Sequence, residues 1–336
     1  MKTPTPFSDL LKLDAERSVN QITSAIRSQV FQDLRRRGAV AGLSGGIDSS
    51  VVTALSARSL GKERVVALLM PERESSEESL ALGRLLTDQL GIQAIVEDIT
   101  PILEASGCYR RRDEMIRSVI PEYGPDYKCK IVLPDLSENT YRIFSVVVRS
   151  PDGRETRARL TPEAYLGVVA ATNFKQRVRT MMEYYHADRL NYAVMGTPNR
   201  LEYDQGFFVK GGDGAADVKP IAHLYKSQVY QLAEYLGLPE EIRRRPPTTD
   251  TYSLSQSQEE FYFSLPYDRM DACLYAKNHG MSPDEVSRIL GVPCEQVNNV
   301  YNDIDAKRKA TRYLHMRPLL VEAVPEITHQ SPMEST

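Results

Sequence analysis

A short glycine- and serine-rich segment between an apolar run and a helix-like run constrains the fold more than any other feature. The apolar run is Ala39–Leu43, the segment Ser44–Ser50 reads Ser-Gly-Gly-Ile-Asp-Ser-Ser, and Val51–Leu55 continues as a helix. Glycines let a backbone approach an anion closely, serine hydroxyls add donors, and a helix N-terminus presents free N–H groups. We therefore predict a strand, a phosphate-binding loop and a helix. A plain Gly-Ser turn before a helix is the simpler alternative.

This loop differs from the phosphate loop of most NTPases. It lacks the lysine and the spacing of Gly-x-x-x-x-Gly-Lys-Ser/Thr, which reach the β- and γ-phosphates. It resembles instead the pyrophosphate loop of the ATP pyrophosphatase superfamily, whose members cleave ATP between the α- and β-phosphates. The resemblance implies that Asp48 holds magnesium.

Strand-like and helix-like segments alternate along the chain around this loop and predict a parallel sheet. Short apolar runs that are typical of buried strands alternate with longer amphipathic runs that are typical of helices. The predicted strands are 39–43, 65–70, 93–98 and 192–195, and the predicted helices are 8–37, 75–90 and 226–236. We expect an α/β fold with a doubly wound parallel sheet flanked by helices. Ligands of such sheets bind at the carboxyl ends of strands, where Ser44 and Met70 fall.

Residues 104–162 depart from this alternation and indicate an insertion. Tyrosines and arginines are frequent there. Two β-like runs, 141–148 and 154–160, flank a turn at Pro151–Gly153, which is the pattern of a β-hairpin. We therefore predict an inserted hairpin segment, placed where it could shape a pocket.

A single domain with a helical C-terminal part is predicted for the chain. Residues 1–270 carry the alternating pattern and its insertion, and residues 271–336 read as helical. Within the latter, Ser282–Tyr301 resembles a helix-turn-helix with Gly291 at the turn. Its second segment, Cys294–Asp303, is acidic or neutral, whereas DNA binding needs a basic second helix. We expect this region to pack on the same domain, with a flexible tail from about residue 322.

Arginine triplets and histidines are ambiguous in this sequence. Arg110–Arg112 could bind a phosphate or a carboxylate through planar bidentate donors, although a solvated helix face is the commoner role. The triplets that begin at Arg35 and Arg243 are expected to be surface groups. His186 and His223 could act as acid–base groups, because a histidine side chain ordinarily titrates near neutral pH, but we expect them to be packed or surface residues.

Composition excludes several classes of function. The chain has 336 residues and a formal net charge of −3, so it has no diffuse attraction to nucleic acid or to anionic membranes. Its four cysteines are scattered, without metal-ligand spacing, and are expected to be reduced thiols. No apolar run is long enough to cross a bilayer, and the N-terminus has no signal-peptide pattern. We expect a cytoplasmic protein with no nucleic-acid or membrane partner.

Three longer motifs follow one another in the second half of the chain. They are Asn-x-x-x-Arg-x-Arg at Asn173–Arg179, predicted as a helix start, Gly-Thr-x-x-x-x-Glu at Gly196–Glu202, and Gly-Phe-Phe-x-Lys-x-Gly-Asp-Gly-x-Ala-Asp at Gly206–Asp217. Leu-x-Lys at Leu224–Lys226 and Pro-Thr-x-Asp at Pro247–Asp250 come next. With these five motifs in order, residues 20 to 320 outside the insertion resemble NAD synthase, the family that amidates the nicotinate of deamido-NAD.

The resemblance implies a fold and a set of site residues. The fold is that of adenine nucleotide alpha hydrolase-like, Rossmann-like proteins. The implied ATP-binding residues are Ser44, Gly45, Gly46, Asp48, Ser49, Met70, Thr197, Lys226 and Thr249, with Asp48 and Glu202 as magnesium ligands. The implied deamido-NAD contacts are Asn173, Arg177, Lys210, Asp213 and Asp217. The loop 211–214 is a candidate lid. Met70 is expected to border the adenine of ATP, and Arg73 is a weaker candidate for that role.

The resemblance also implies the reaction and the partners. A carboxylate oxygen attacks the α-phosphate of ATP, pyrophosphate leaves, and ammonia then displaces AMP from the acyl-adenylate. No glutaminase domain fits ahead of Ser44, so ammonia is expected to arrive free or from a separate amidotransferase. Members of the family imply a homodimer with the dinucleotide at the subunit interface. The sequence departs from the family pattern at Pro198–Arg200, where more acidic residues are usual.

Three alternatives stay open at this point. A divergent amide ligase of the same superfamily would adenylate another carboxylic acid, with the insertion reshaping the pocket. An RNA-modifying enzyme would use the same loop, but the acidic charge balance and the lack of a catalytic cysteine pair disfavour it. A non-catalytic module would bind ATP without cleaving it.

Overall fold

The structure, a computed structural model, describes residues 7–132, 144–247, 252–254, 262 and 265–326. Its strands are β1 Ala39–Gly42, β2 Val65–Leu69, β3 Gln93–Val96, β4 Lys128–Val132, β5 Ser145–Arg149, β6 Glu155–Arg159 and β7 Ala193–Met195. Four of them form a parallel sheet in the order β3-β2-β1-β7. The predicted parallel sheet is confirmed, and each of its strands is one or two residues shorter than predicted.

Helices cover both faces of this sheet. The α-helices of the described residues are α1 Phe7–Leu10, α2 Ala15–Ser28, α3 Ile47–Leu60, α4 Glu77–Leu90, α5 Thr100–Ala105, α6 Cys108–Arg117, α7 Pro162–Leu190, α8 Arg200–Gln205, α9 Lys226–Tyr235, α10 Glu240–Arg244, α11 Tyr267–Asn278, α12 Pro283–Leu290 and α13 Cys294–His315. Alternate residues of each strand point to opposite faces. Ala39 and Ala41 pack with α2, α3 and α9, whereas Val40 packs with α5, α6 and α7. The doubly wound α/β fold is therefore confirmed.

The N-terminal helix predicted over residues 8–37 is wrong in its extent, because the helix is interrupted between α1 and α2. The side chain of Gln231 forms hydrogen bonds with the backbone of this connecting segment: its amide nitrogen donates to the Leu11 carbonyl at 3.0 Å and its oxygen accepts the Leu13 N–H at 2.8 Å. Asp14 then caps the first turn of α2. The apolar spacing continued through the break because Leu11 and Leu13 pack on the C-terminal helices or the main core, not because the segment is one helix.

The inserted segment forms a second sheet. Strands β4, β5 and β6 pair antiparallel in that order, and Gly153 has a φ of +87° in the turn between β5 and β6. The predicted hairpin is confirmed for its described part, since residues 133–143 lie outside the described residues. Strand β4 was not predicted. Its inward residues Cys129 and Ile131 are buried against α6 and α7, so the added sheet has a core of its own.

Helix α7 spans 29 residues, far more than the mean helix. It begins at Pro162, capped by the Thr161 hydroxyl, and ends where Asn191 adopts the left-handed conformation. The prediction that residues 173–179 start a helix is wrong, because they lie in the middle of α7. The helix joins the added sheet to the central one and passes the carboxyl end of β1.

The C-terminal helices pack onto the rest of the chain through α8 and α9. Helices α12 and α13 form a hairpin whose turn contains Gly291, at a φ of +65°. Residues 317–326 are exposed, and residues 327–336, in which most of the predicted flexible tail falls, lie outside the described residues. In the described part of the chain no helix combines the length and the hydropathy needed to cross a bilayer. All four cysteines are free thiols.

Candidate active site

A cavity of about 640 Å³ opens at the carboxyl ends of β1, β2 and β7. The chain winds outward from β1 to β3 on one side of the sheet and returns as β7 on the other, so this cavity lies at a topological switch point. The predicted site residues that line it are Ser44, Gly46, Asp48, Ser49, Met70, Asn173, Arg177, Thr197, Glu202, Lys210, Asp213 and Lys226. Gly45 and Asp217 do not line it, and Thr249 lies outside the described residues.

The loop after β1 is held in an open curve by its own serines. The Ser44 hydroxyl accepts the Gly46 N–H at 3.3 Å and lies 3.2 Å from the Ser49 hydroxyl, which donates to the Gly46 carbonyl at 3.1 Å. Gly45 has a φ of +73°, and a Cβ there would lie 2.7 Å from the Ser79 carbonyl oxygen. Only glycine fits at this position. The loop therefore presents the start of α3 to the cavity, as an anion site requires.

Arg245 lies beside this loop, and its place corrects the prediction that the third triplet is wholly on the surface. One guanidinium nitrogen lies 3.5 Å from the Ser44 carbonyl oxygen and another donates to the Ser79 hydroxyl at 2.9 Å. Its side chain is 11% exposed and lines the cavity, whereas that of Arg244 is 79% exposed. A planar cation beside the Ser44 loop is suited to bind an anion such as a phosphate oxygen.

Two carboxylates and a lysine meet at the far side of the loop. Asp48, in the first turn of α3, pairs with the ammonium of Lys226 and accepts the Asn199 amide at 3.1 Å. Asn199 caps α8 by accepting the Glu202 N–H, and the Glu202 carboxylate accepts the Asn199 N–H at 3.1 Å. Burial alone would lower the pKa of Lys226, but Asp48 and Glu202 outweigh it and hold the pKa above its ordinary value. Lys226 therefore carries its charge into the cavity.

The start of α9 is fixed by a buried acid from the C-terminal helices. Asp271 is fully buried, and its two carboxylate oxygens accept the backbone N–H groups of Lys226 and Ser227 at 3.2 and 2.7 Å. An acceptor at a helix start satisfies N–H groups that the helix leaves free. The C-terminal region thus positions the lysine that faces the loop.

Asp48 and Glu202 form a donor set that fits magnesium. Both are hard oxygen donors, both line the cavity, and they come from the first turns of two different helices. Mg²⁺ in nucleotide sites takes one or two carboxylates together with phosphate oxygens and waters. Within the ranges that the structure describes, no group of three or more histidine, cysteine or acidic side chains is arranged for a metal ion. A two-carboxylate site needs no such group.

The residues expected to contact deamido-NAD lie on the opposite wall. Asn173 and Arg177 project from one face of α7, and the Arg177 Nε donates to the Lys210 carbonyl at 3.4 Å. The Lys210 ammonium donates to the Tyr313 carbonyl at 2.6 Å and to the Met316 carbonyl at 3.4 Å. The C-terminal end of α13 therefore closes this wall of the cavity, and Lys210 connects the two through its hydrogen bond to Tyr313.

The candidate lid loop is an internally bonded turn. The Asp213 carboxylate accepts the Val209 N–H at 2.7 Å, and the Lys219 ammonium donates to the Gly214 carbonyl at 2.7 Å. Burial raises the pKa of Asp213 to about 6, although its bond to Val209 opposes this. Gly211 has a φ of +71°, with open space around the position of a Cβ. The turn keeps Asp213 directed into the cavity.

Two other candidates, Asp217 and Arg73, have contacts outside the cavity. Asp217 is exposed, and one of its oxygens accepts the Val194 N–H at 2.8 Å, which joins the loop to β7. Arg73 stacks over the Tyr109 ring at 3.7 Å and does not line the cavity. Met70, by contrast, lies at the end of β2 and does line it.

The arginine triplet of the insertion divides between two environments. Arg110 is 64% exposed and pairs with Glu114, as expected of a solvated face. Arg112 is buried, with 3% of its side chain exposed, so the surface prediction is wrong for it. It pairs with Glu74 at 2.7 Å, and Glu74 also binds Lys175 at 2.7 Å. This buried network ties the loop after β2 to α6 and α7.

The histidines have the structural roles predicted. His186 is buried, and its Nε2 lies 2.9 Å from a Glu97 oxygen while Arg189 donates to its Nδ1 at 3.0 Å. His223 is exposed. Neither lines the cavity.

Four residues of this region were not predicted from the sequence: Asn199, Arg245, Asp271 and Glu183. A signal existed for Asn199, since Asn-x-x-Glu before a short helix is a capping-box pattern. For the other three the environment depends on distant parts of the chain. No local pattern identifies them.

A pyrophosphate-type loop at the switch point of a doubly wound sheet, faced by two carboxylates and a charged lysine, defines a nucleotide-binding α/β protein of the PP-loop class. Comparison with known proteins narrows this class. The chain matches the family described as NAD synthase over residues 18–118 and 151–312. It therefore belongs to the NAD synthase family, as its motifs predicted. The unmatched residues 119–150 contain strands β4 and β5.

Named relatives and solved structures agree with this family. The chain is 61% identical to the NH(3)-dependent NAD(+) synthetase of Rhizobium meliloti over 95% of its own length and 96% of the relative's. It is 35% identical to the NH(3)-dependent NAD(+) synthetase of Thermotoga maritima over 80% of its own length and 90% of the relative's. An NMN synthetase from Francisella tularensis has a TM-score of 0.64 at 21% identity, covering 92% of this chain and 99% of that one. An NH3-dependent NAD synthetase from Campylobacter jejuni has a TM-score of 0.60 at 24% identity, covering 92% of this chain and 100% of that one. These two structures are similar in fold.

Proposed function

We propose that this protein makes NAD from deamido-NAD, with ammonia as the nitrogen donor and ATP as the activating substrate. The observation that carries the proposal is the single cavity in which a pyrophosphate-type loop faces the motif residues Asn173, Arg177 and Asp213. Relatives named NH(3)-dependent NAD(+) synthetase support the same reaction, since they match nearly the whole chain. The products are NAD, AMP and pyrophosphate.

The geometry supports a two-step ligation. In the first step, the carboxylate of the acyl substrate attacks the α-phosphorus of ATP, and pyrophosphate leaves in line. Lys226, Arg245 and the N–H groups at the start of α3 stabilise the negative charge that develops on the phosphates. In the second step, ammonia attacks the carbonyl carbon of the acyl-adenylate and AMP leaves. The reaction requires no side-chain nucleophile.

Asp48 and Glu202 would hold magnesium in this reaction. When bound, the ion would neutralise phosphate charge and orient the leaving pyrophosphate. The Asn199 amide fixes the Asp48 carboxylate at 3.1 Å, which orients one ligand before ATP arrives. Thr249, as a further ATP contact, remains a proposal from the family motif.

Another carboxylic acid as substrate is the second candidate. The added sheet brings Phe144 to the cavity, where its ring stacks on Tyr165 at 4.2 Å, so the insertion contributes to the wall. The relatives at 58–62% identity that carry the synthetase name argue against a changed substrate. Deamido-NAD is therefore the favoured acid.

A homodimer is proposed, built on the exposed side of α7. Leu166, Met181 and Tyr185 are 64%, 51% and 57% exposed, and they follow one stripe of the helix together with Arg177. A stripe of apolar residues beside substrate contacts suits an interface at which the dinucleotide binds. Met181→Glu should give a monomer in analytical ultracentrifugation, whereas Leu85→Glu on α4 should not. A monomeric native protein would contradict the proposal.

We place the reaction in the cytoplasm, which is consistent with four free thiols. Ammonia is taken up free or from a separate amidotransferase. The decisive experiment incubates the protein with ATP, magnesium, ammonium and deamido-NAD, and follows NAD and pyrophosphate together. Equal amounts of both are expected. Pyrophosphate release with another acid and none with deamido-NAD would overturn the proposal, and ATP binding without any cleavage would make the protein a non-catalytic module.

A further inference from the structure

Glu183 is an acid of α7 that the activity described so far does not use. It is half-buried and lines the cavity. Its carboxylate lies against Gly42, the last residue of β1, so closely that a Cβ at Gly42 would be 2.1 Å from Glu183 Oε1. Because glycine leaves this space free, the carboxyl group reaches the strand end just before the phosphate-binding loop.

The groups around Glu183 are few and can be named. Arg179 precedes it by one turn on α7, and Asp213 faces it from the lid loop, where Lys219 lies near Asp213. At this point the Met70 methyl group also lies near Gly42, 3.3 Å from the position of a Cβ there. Among the residues that the structure describes, none donates a hydrogen bond to Glu183 or forms a salt bridge with it. The acid is therefore available to a ligand in the cavity.

Burial makes Glu183 a base of unusual strength. Removal from water raises the pKa of Glu183 to about 8, with the Asp213 carboxylate adding to the rise and Arg179 opposing it. Asp213 has its own raised pKa, but its carboxylate is already bonded to the Val209 N–H. A general base works best when its pKa lies near the working pH.

The proposed reaction has a proton to remove. Ammonia in neutral solution is mostly ammonium, which has no lone pair and cannot attack a carbonyl carbon. We propose that Glu183 accepts the proton of an ammonium ion bound in the cavity, so that free ammonia forms beside the acyl-adenylate; this inference rests on the proposed function. Glu183 would thus act in the second step of the ligation and not in the first.

The step balances in protons and electrons. The N–H bond of ammonium breaks and its electron pair stays on nitrogen, while the proton passes to a Glu183 carboxylate oxygen. The nitrogen pair then forms the C–N bond, and the C–O bond to AMP breaks with its electrons on the phosphate oxygen. The amide nitrogen loses a second proton to solvent, and Glu183 returns its proton to water before the next cycle.

Glu183→Gln tests the assignment, because it keeps the size of the side chain and removes the base. Two reactions are measured on wild type and variant. The first is exchange of labelled pyrophosphate into ATP, which depends on deamido-NAD and reports adenylation alone. The second is NAD formation with ammonium. We expect exchange to stay within about twofold and NAD formation to fall by about 10²-fold, the usual size of general-base effects.

Hydroxylamine separates proton removal from a merely structural role. It is uncharged at neutral pH, so it needs no base to become nucleophilic. We expect Glu183→Gln to form the hydroxamate at a rate close to wild type. Glu183→Asp should recover part of the ammonium-dependent rate.

Two results would overturn the inference. Equal loss of exchange and NAD formation would show that Glu183 positions ATP or the acyl substrate. Equal loss with ammonium and hydroxylamine, at intact exchange, would show a structural effect on the second step. Failure of the proposed function looks different, since the wild type itself would then show no exchange that depends on deamido-NAD. A thermal unfolding curve confirms that each variant is folded.

Discussion

The buried carboxylate of Asp271 accepts a hydrogen bond from the backbone N–H of Lys226 at 3.2 Å. Asp271→Ala removes this acceptor and leaves two N–H groups at the start of α9 without it. We expect the free energy of unfolding to fall by about 1–3 kcal/mol. Pyrophosphate exchange should also slow, because Lys226 loses its fixed place. Urea unfolding and the exchange rate measure the two effects, and Asp268→Ala, at an exposed position of the same helix, serves as the control.

Replacement of Asp48 and replacement of Glu202 should affect stability differently, although we propose that adenylation needs both residues. Asp48→Ala leaves the buried Lys226 ammonium without its ion pair, so we expect the free energy of unfolding to fall by about 1–3 kcal/mol. Glu202→Gln keeps an oxygen that can accept the Asn199 N–H, so its stability should change little. Both variants should lose pyrophosphate release. Near-normal release in either one would refute its role as a magnesium ligand.

Arg245 and Arg244 are neighbours that offer a matched comparison. Arg245→Ala removes a cation beside the Ser44 loop, so we expect KM for ATP to rise by about tenfold, which corresponds to the loss of one charged hydrogen bond. Arg244→Ala removes an exposed side chain, and steady-state kinetics should show no change. If the two variants behave alike, Arg245 does not contact the nucleotide.

Arg112 and Arg110 form a second matched pair. Arg112→Met leaves the buried Glu74 with one cation fewer, and we expect the free energy of unfolding to fall by about 3–5 kcal/mol. Arg110→Ala should change it by less than about 0.5 kcal/mol and leave KM for both substrates unaltered. Thermal unfolding and kinetics decide both points. A raised KM in Arg110→Ala would instead show that the exposed arginine reaches the substrate.

The parts of the fold that follow from local patterns were predictable. The strand, loop and helix around Ser44 required no distant information, because apolar runs, glycines and a helix start are adjacent in the chain. The hairpin 145–159 follows from alternation and a Pro-Asp-Gly turn. The helix break at Leu11 was missed for the opposite reason, since the amide that binds it belongs to Gln231, more than two hundred residues away.

Site residues that belong to a motif could be predicted from the sequence. Residues whose role depends on whether their side chain is buried could not. The motifs predicted Asp48, Glu202 and Lys226 as site residues, and the structure places all three in one cavity. In sequence, Arg112 and Arg245 cannot be distinguished from their exposed neighbours. Consecutive residues of α6 point in different directions, and Arg245 follows the last residue of α10 in extended backbone. Which member of each triplet is buried depends on the elements that pack against that segment.

The ion pair of Asp48 and Lys226 joins positions that lie 178 residues apart in the chain. During synthesis, the loop and the first turn of α3 emerge long before α9 exists. A ribosome-bound N-terminal half would carry the Ser44 loop without Lys226, without Arg245 and without α9, the helix whose start Asp271 fixes. The ability to consume ATP should therefore appear only after α11 has folded onto α9, so that an incomplete chain has no wasteful hydrolytic activity.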